Sequence, residues 1–228
     1  MFYRIIIRLL RPVRNEVSKN YKMNLRQWLL YHQRNIIFEK CNWMGVPAYK
    51  NPLDAWVYQE IIYEVKPDII IEIGSAEGGS TLFLAHILDI LGKGKVISID
   101  IDRTKYRVKH ERIITVTGNS SSSDTIETVQ QLCCGKRVLV VHDGDHRKSQ
   151  VLKDLRTYSM LVSENSYFIV EDTIIDLFKP GDGLGTIEDG PLKAINEFFK
   201  ENSDFIVDKE QERYILTGNV NGFLKRVR

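Results

Sequence analysis

Five short apolar runs, rich in β-branched residues, constrain the fold of this chain more than any other feature. They lie at residues 69–73 (IIIEI), 95–100 (KVISID), 112–117 (RIITVT), 137–142 (RVLVVH) and 167–171 (YFIVE). Each run is apolar on both faces, which is typical of strands in a parallel sheet that helices cover. Segments of helical periodicity at 79–91, 123–133, 147–162 and 191–200 lie between or after these runs and predict the covering helices.

The order of strands and helices predicts an α/β fold with a doubly wound, mostly parallel seven-stranded sheet. A helix at 54–65 is expected to open at Asn51-Pro52 and to end at Pro67. The segments DFIVD, RYILTGN and GFLKRV predict two or three final strands, with a turn at Gly218-Asn219. Ligands of such a sheet bind beyond the C-terminal ends of its strands. We therefore expect one Rossmann-like domain over residues 51–228.

Residues 1–50 predict a basic helical extension without a strand pattern. Residues 1–40 hold nine Lys and Arg against two Asp and Glu, although the whole chain has a net charge of only +2. We expect a solvated helix face or a subunit contact in a homo-oligomer, with peripheral membrane contact as the weaker alternative and no nucleic-acid partner. The start of an amphipathic helix at 2–10 is too short to span a bilayer and lacks a cleavage site.

Cysteine usage predicts a reducing, cytoplasmic environment. The chain has Cys41 and the vicinal pair Cys133-Cys134, and it has no C-x-x-C pair that would indicate zinc.

A glycine-containing loop follows the first predicted strand, in EIGSAEGGSTLFLAH at 72–86. Glycines at such a turn let the backbone approach a ligand, and the helix start offers free N–H groups. The spacing is G-x-x-x-G-G, which differs from the G-x-G-x-x-G of dinucleotide dehydrogenases. In a second interpretation, Gly78-Gly79 only permits close packing between helix and strand.

Two carboxylates favour a cofactor site at this loop. Glu72 lies at the end of the first strand, and Asp100 closes the second strand, where a carboxylate can accept both hydroxyls of a ribose. This pattern resembles class I S-adenosylmethionine-dependent methyltransferases. The resemblance implies that Asp100 holds the ribose and that Asn119-Ser120 lies near adenine. The complete set of implied cofactor residues is Glu72, Gly74, Ser75, Gly78, Ser80, Asp100, Asp102, Asn119 and Ser120.

Carboxylates also crowd the tips of the next two strands. Asp143 and Asp145 follow the fourth strand, and Glu171 and Asp172 follow the fifth. Side by side, these groups would repel unless they are protonated or neutralised by a cation. Oxygen ligands without a thiol select a hard ion, which is Mg²⁺ or alternatively Mn²⁺ or Ca²⁺.

Each member of this cluster also has a structural interpretation. Asp145 is a favoured residue type for capping the helix that follows. His146 fits a first-turn helix position that faces solvent, and Asp172-Thr173 fits a turn that ends the strand. His142 is expected to be structural, packed at the end of its strand.

The spacing around Asp143 is similar to that of Mg²⁺-dependent sugar O-methyltransferases of the macrolide type. His146 lies at +3, Glu171 at +28 and Asp172 at +29. Catechol O-methyltransferase has a similar layout with lysine in place of the histidine. The resemblance implies Asp143, Glu171 and Asp172 as metal ligands and His146 as the general base, with Asp145 as an alternative ligand in place of Asp143.

A closer resemblance, to the family named for cephalosporin hydroxylase, runs from about residue 43 to the end of the chain. It rests on WMGVPAYKNPLDAWVYQEIIYEVKPDIIIEIGSAEGGST, VISIDID, DGDH, YFIVEDT, GPLKAINEFF and YILTGNVNGFLKRV. It implies a methyltransferase fold with a site for S-adenosylmethionine. The chain departs from the family pattern at His142 and at 164–166.

We therefore predict an Mg²⁺-dependent enzyme that transfers a methyl group from S-adenosylmethionine to a hydroxyl of a sugar, glycan or natural product with adjacent hydroxyls. The glycine-rich loop at 174–190 is expected either to close over the substrate or to be a surface loop without a role. One alternative is a non-catalytic sugar- or partner-binding protein with the same fold. An oxidoreductase is disfavoured by the glycine spacing, and an iron-dependent hydroxylase by the absence of an H-x-D/E pair.

Overall fold

The structure is a computed structural model of the 228-residue chain, and it describes residues 22–178, 182 and 189–228. The predicted helix at 2–10 and residues 179–181 and 183–188 of the predicted lid lie outside the described residues. Within the described ranges, no helix combines the length and the apolar character that a membrane crossing requires.

The chain divides into two compact units, residues 1–40 and residues 41–228. In the first unit, α1 (Leu25–His32) continues as a π-helix (Gln33–Ile37) and a final turn (Phe38–Lys40). Helix α1 begins with a capping box, because Asn24 Oδ1 accepts the Gln27 N–H at 2.9 Å and Gln27 Oε1 accepts the Asn24 N–H at 3.0 Å.

Residues 41–50 join the second unit through a short hairpin that the sequence pattern did not predict. Its strands, β1 (Asn42–Trp43) and β2 (Val46–Pro47), pair with each other. The hairpin packs against the glycine-loop helix at Gly79, where an added Cβ would overlap the carbonyl of Pro47. Gly79 therefore serves close packing, as the second interpretation of the loop proposed.

The described helices of the second unit follow the predicted order: α2 (Pro52–Val65), α3 (Gly79–Leu91), α4 (Ser123–Cys133), α5 (Lys148–Tyr158) and α6 (Pro191–Phe198). Helix α2 is capped by Asn51, whose Oδ1 accepts the Leu53 N–H at 3.1 Å, and it ends at Lys66 with a left-handed φ of 49° before Pro67. Single turns of 3₁₀-helix occupy Ser159–Leu161, Thr173–Leu177 and Lys209–Glu212.

The seven remaining strands form one sheet in the order β5-β4-β3-β6-β7-β9-β8. They are β3 (Ile69–Ile73), β4 (Lys95–Asp100), β5 (Ile113–Thr117), β6 (Val138–His142), β7 (Tyr167–Val170), β8 (Phe205–Val207) and β9 (Phe223–Arg226). Strands β3 to β7 pair in parallel, and β9 pairs antiparallel to both β7 and β8. The predicted doubly wound sheet is therefore confirmed, with its switch point at β3, between β4 and β6.

Helices cover both faces of the sheet, as the apolar strands predicted. On one face, Ile71 and Val140 pack with residues of α4, α5 and α6. On the other face, Ile70 and Leu139 pack with residues of α2 and α3. Because successive strand residues point to opposite faces, each strand contributes to both cores.

Of the three segments from which two or three final strands were expected, two form strands, β8 and β9, and residues 213–219 do not. This segment makes turns, with a φ of 67° at Ile215, and its backbone groups bond elsewhere than to a neighbouring strand. The Gly218 N–H donates to Asp54 Oδ2 at 2.8 Å, and the Gly218 carbonyl accepts the Ile174 N–H at 3.0 Å. The segment instead connects α2 to the chain that follows β7.

Candidate active site

The register of the sheet brings the carboxyl ends of its central strands to one edge. Ile73 pairs with Ile99 on one side and with His142 on the other. The N–H of Asp143 donates to the Ile73 carbonyl at 2.7 Å, and the N–H of Glu171 donates to the His142 carbonyl at 2.9 Å. The residues that follow β3, β6 and β7 therefore lie beside one another at this edge.

Gly74 is required where the chain leaves β3. Its φ is 86°, and an added Cβ would overlap the carbonyl of Asp143 on the neighbouring strand. A side chain at position 74 would thus push apart the two strand ends that form the site.

Asp100 organises the loop after β3. Its Oδ2 accepts the backbone N–H groups of Ser75 at 2.8 Å and Ala76 at 3.0 Å, and its Oδ1 accepts the N–H of Asp102 at 3.1 Å. Burial raises the pKa of Asp100, but these N–H donors outweigh burial and hold its pKa below the ordinary value. Oδ1 keeps room for a further donor, such as a ribose hydroxyl.

A cavity of about 620 Å³ lies beyond this loop. Eight of the predicted site residues line it: Gly74, Ser75, Asp100, Asp102, Asn119, Ser120, Asp143 and Asp145. Its size falls in the range of small-molecule sites, which is roughly 300–1,000 Å³. The cavity lies at the switch point of the sheet, and these eight residues form part of its lining.

Glu72 and its neighbours, which were also expected at the cofactor site, lie behind the cavity and do not line it. The Glu72 side chain is fully buried on the face covered by α2 and α3, because it lies two residues after Ile70 and so points to the same side of β3. It accepts the hydroxyls of Ser80, at 2.5 Å, and of Thr81, and burial raises its pKa. Gly78, with a φ of 94°, and the buried Ser80 form the start of α3 and do not line the cavity.

A buried polar network supports the part of the cavity wall formed by Ser120, Gln150 and Asp154. Asp154 Oδ1 accepts the Ser120 hydroxyl at 2.8 Å, and Asp154 Oδ2 lies 3.0 Å from His142 Nε2. Gln150 donates to both Asp154 oxygens at 3.2 Å. His142 is fully buried and structural, as the sequence analysis expected.

A second cluster combines three of the residues expected to act on the acceptor. Asp143, His146 and Asp172 each offer one ligand atom, and these atoms all lie within 4.8 Å of one another. His146 Nε2 is 3.4 Å from Asp172 Oδ2, and His146 Nδ1 is buried without a hydrogen-bond partner. Two carboxylates and an imidazole nitrogen are a donor set that fits a divalent cation.

Lys50 joins Glu171 to this cluster, a contact that sequence reasoning missed. Lys50 Nζ lies 2.6 Å from Asp143 Oδ2 and also contacts Glu171 Oε1. Burial lowers the pKa of Lys50, but the charges of Asp143 and Glu171 outweigh burial and raise its pKa overall. The signal available in the sequence was a lysine directly before the Asn51-Pro52 start of α2, within a segment that was assigned to the extension.

Glu171 is buried beside Lys50, and its oxygens lie outside the group formed by Asp143, His146 and Asp172. Burial and the Asp143 charge raise the pKa of Glu171, whereas Lys50 opposes that rise. Asp172 has a raised pKa for the same reason, since burial outweighs the effect of His146.

Asp145 does not join the carboxylate cluster. Its carboxylate contacts the Arg147 guanidinium, with Nε 2.8 Å from Oδ2, and its Oδ1 accepts the Arg147 N–H at 2.9 Å. These local bonds form a turn ahead of α5, whose N-cap residue is Arg147 without a side-chain cap, so Asp145 does not cap the helix as the structural interpretation expected. The Arg147 side chain lowers the pKa of Asp145.

The only other such three-residue group among the described residues is His86, Asp89 and His110. His86 Nδ1 accepts the Trp43 indole N–H at 3.0 Å, and His110 Nδ1 accepts the Arg112 N–H at 3.2 Å. In the neutral imidazoles these bonds leave the protons on Nε2, and His110 Nε2 lies 3.0 Å from Asp89. The group is therefore a hydrogen-bonded cluster, in which Asp89 also pairs with Arg112 at 2.5 Å, rather than a metal site.

The chain matches the family model described as rhamnosyl O-methyltransferase/CmcI over residues 35–227. It is 31% identical over 205 residues to the rhamnosyl O-methyltransferase of Mycobacterium tuberculosis (strain ATCC 25618 / H37Rv). The aligned region covers 86% of this chain and 82% of that protein. It is 30% identical over 204 residues to the protein of the same name from Mycobacterium leprae (strain TN), with coverage of 86% and 87%.

Two solved structures share the fold. CmcI with Mg and SAM superposes with a TM-score of 0.65 at 23% sequence identity. The superposed region covers 84% of this chain and 78% of the CmcI chain. MycE from the mycinamycin biosynthetic pathway, in complex with Mg, SAH and mycinamycin VI, has a TM-score of 0.52 at 15% identity, with coverage of 87% and 53%. Both the fold and the sequence match agree with the resemblance drawn from the motifs: the chain belongs to the rhamnosyl O-methyltransferase/CmcI family.

Proposed function

We propose that this chain is an Mg²⁺-dependent O-methyltransferase that moves a methyl group from S-adenosylmethionine to a sugar hydroxyl. One observation carries the proposal. Asp143 lines the cavity after β3 and also belongs to the cluster with His146 and Asp172. The proposed site for the methyl donor and the proposed ion site therefore share this residue. The family and the names of its curated relatives support the same reaction.

The cavity residues are proposed to hold S-adenosylmethionine. Asp100 would receive a ribose hydroxyl at the free position of Oδ1, and Gly74 and Ser75 would border the methionine part. Asp102, Asn119 and Ser120 line the remainder of the cavity, where the nucleoside would lie. Glu72, Gly78 and Ser80 contribute indirectly, because they fix the loop and the start of α3.

The ion would be held by Asp143 and Asp172, with Glu171 as the third proposed ligand. Mg²⁺ usually takes few protein carboxylates and keeps other positions for water or substrate. When bound, such an ion lowers the pKa of a coordinated hydroxyl and orients it. We leave Asp145 out of the ligand set because its carboxylate is paired with Arg147.

His146 is proposed as the general base. Its Nε2 lies 3.4 Å from Asp172, which can orient the ring, and an imidazole accepts a proton readily near neutral pH. The acceptor's hydroxyl proton would pass to His146 while the oxygen attacks the methyl group in line, and the methyl–sulfur bond would break with S-adenosylhomocysteine as the leaving group. Much of the rate would come from positioning these two reactants.

The acceptor is proposed to be a deoxyhexose of the rhamnosyl type that presents adjacent hydroxyls, one to be methylated and one to anchor the sugar. We further propose a homo-oligomer that acts in the cytoplasm, consistent with the free thiols of Cys41, Cys133 and Cys134.

Methyl transfer from labelled S-adenosylmethionine to a panel of rhamnosides, with and without EDTA, tests the proposal. We expect incorporation that EDTA abolishes and Mg²⁺ restores. Asp143→Asn should abolish transfer while the affinity for S-adenosylmethionine, measured by titration calorimetry, stays within about three-fold. Donor binding without transfer to any sugar would instead indicate the non-catalytic alternative.

A further inference from the structure

We infer that Lys50 is a positioning residue of the ion site: its buried ammonium bridges Asp143 and Glu171 and holds both carboxylates in place for a divalent cation. The inference rests on the proposed function, since it concerns the same ion. Nothing in the motif around Asp143 points to this lysine, which lies 93 residues before Asp143 and 121 residues before Glu171.

The geometry supports a bridge rather than a loose ion pair. The Lys50 side chain is 7% exposed, against 22% for Asp143 and 8% for Glu171, so water competes little for the ammonium. Lys50 contacts Oδ2 of Asp143 and Oε1 of Glu171 at the same time. Because the two carboxylates follow different strands, the single Lys50 ammonium holds the ends of β6 and β7 at a fixed separation.

Charge balance gives the bridge a further role. Asp143, Glu171 and Asp172 carry three negative charges when ionised, and one ammonium plus one divalent ion supplies three positive charges. Buried like charges are strongly unfavourable without such compensation. Lys50 therefore allows a third carboxylate to be present at an ion site without leaving an excess charge.

The backbone of Lys50 is itself held in place. The Cys41 thiol donates to the Lys50 carbonyl at 3.0 Å, and the next residue, Asn51, donates from Nδ2 to the Leu216 carbonyl at 3.1 Å. The start of α2 is thus anchored at the Lys50 carbonyl and at the Asn51 side chain. Groups that orient metal ligands in this way commonly change metal affinity or activity by about 10–100-fold when they are removed.

Titration of Mn²⁺ into the metal-free protein, followed by calorimetry, tests the inference without an activity assay. Lys50→Met keeps most of the side-chain length, and we expect Mn²⁺ affinity to fall about 10–100-fold, with the affinity for S-adenosylmethionine within about three-fold. Lys136→Met is the matched control, because Lys136 is exposed and precedes β6 at the opposite edge of the sheet. It removes the same charge and should leave Mn²⁺ affinity unchanged.

A double-variant cycle separates the bridge from a general effect on folding. On a Glu171→Gln background, Lys50→Met should reduce Mn²⁺ affinity by less than it does in the unchanged protein, because one of the two bridged carboxylates is already gone. Additive losses would overturn the inference. So would a folded Lys50→Met protein whose Mn²⁺ affinity equals or exceeds that of the unchanged protein.

If Lys50→Met does not fold, Lys50→Gln is measured in its place, with the same expected loss and the same overturning result. The failure of the proposed function has a different signature. If the unchanged protein binds no Mn²⁺, the ion site itself is refuted and this inference falls with it. If it binds Mn²⁺ and the Lys50 variants bind it equally well, only the role of Lys50 is refuted.

Discussion

The backbone N–H of Asp172 donates to Asn219 Oδ1 at 3.1 Å, which ties the end of β7 to the segment before β9. Asp172 has a left-handed φ of 56°, a conformation that is unfavourable for a residue with a Cβ. Asn219 is buried, and its Nδ2 lies 3.0 Å from the Tyr58 hydroxyl on α2. A strained backbone at a proposed ion ligand is therefore held by two neighbouring elements.

Asn219→Ala is expected to release Asp172 from this conformation. The change leaves a buried N–H without its acceptor, so we expect the free energy of unfolding to fall by about 1–3 kcal/mol. Mn²⁺ affinity should fall as well, because the Asp172 carboxylate loses its fixed position. Urea unfolding and calorimetric titration measure the two effects. Asn202→Ala, which removes an amide before β8, is the control; equal Mn²⁺ affinities in the two variants would contradict the role of Asn219.

His146→Ala is expected to lower kcat by about 10²–10⁴-fold, the usual contribution of a general base. KM for the acceptor should change little, since the imidazole is proposed to move a proton rather than to bind the sugar. Steady-state kinetics at saturating Mg²⁺ measure both constants. His110→Gln, near the start of β5, should match the unchanged protein. A rise in KM at constant kcat would remove His146 from the chemistry.

Asp100→Ala is expected to weaken S-adenosylmethionine binding about 10–100-fold. The substitution removes the proposed ribose acceptor and also frees the N–H groups of Ser75 and Ala76, and a hydrogen bond to a charged group contributes about 1.5–3 kcal/mol. Titration calorimetry in the absence of acceptor gives the affinity directly. Asp124→Ala removes a carboxylate from the first turn of α4 and should leave the affinity unchanged. Normal affinity in Asp100→Ala would place the ribose elsewhere.

The buried carboxyl group of Asp54 is expected to make the free energy of unfolding depend on pH. Burial raises the pKa of Asp54 from 3.8 to about 6, although its hydrogen bonds to Thr217, Gly218 and Asn51 oppose that rise. The folded protein holds the Asp54 proton more tightly than the unfolded chain does, and this difference adds to the free energy of unfolding. The added stability is fully present below about pH 4 and is lost as the pH rises through about 6.

Asp54→Asn should remove this contribution, because an amide does not ionise and can still accept the Gly218 N–H. We expect the unchanged protein to lose about 1 kcal/mol more stability than Asp54→Asn between pH 5 and pH 8. Chemical denaturation of both proteins at the two pH values measures the difference. Parallel pH profiles would show that Asp54 ionises normally in the folded state.

The sequence by itself determined the sheet and the edge at which the site lies. Short runs that are apolar on both faces can be satisfied only in a sheet covered on both sides, and the parallel order places Asp100, Asp143 and Glu171 at one edge. These are local patterns, since each depends on residues within a few positions of one another.

Only the tertiary structure decided which ionisable groups meet. Lys50 reaches Glu171 across 121 residues, Asp145 turns to Arg147 two residues away, and Glu72 faces the helices. The segment at 213–219 has the composition of a strand, yet its backbone bonds to Asp54 and Ile174 instead. The physical reason is common to all four cases. Periodicity fixes the direction of a residue within its own element, whereas the partner of a buried charge or N–H depends on which distant segments pack beside it.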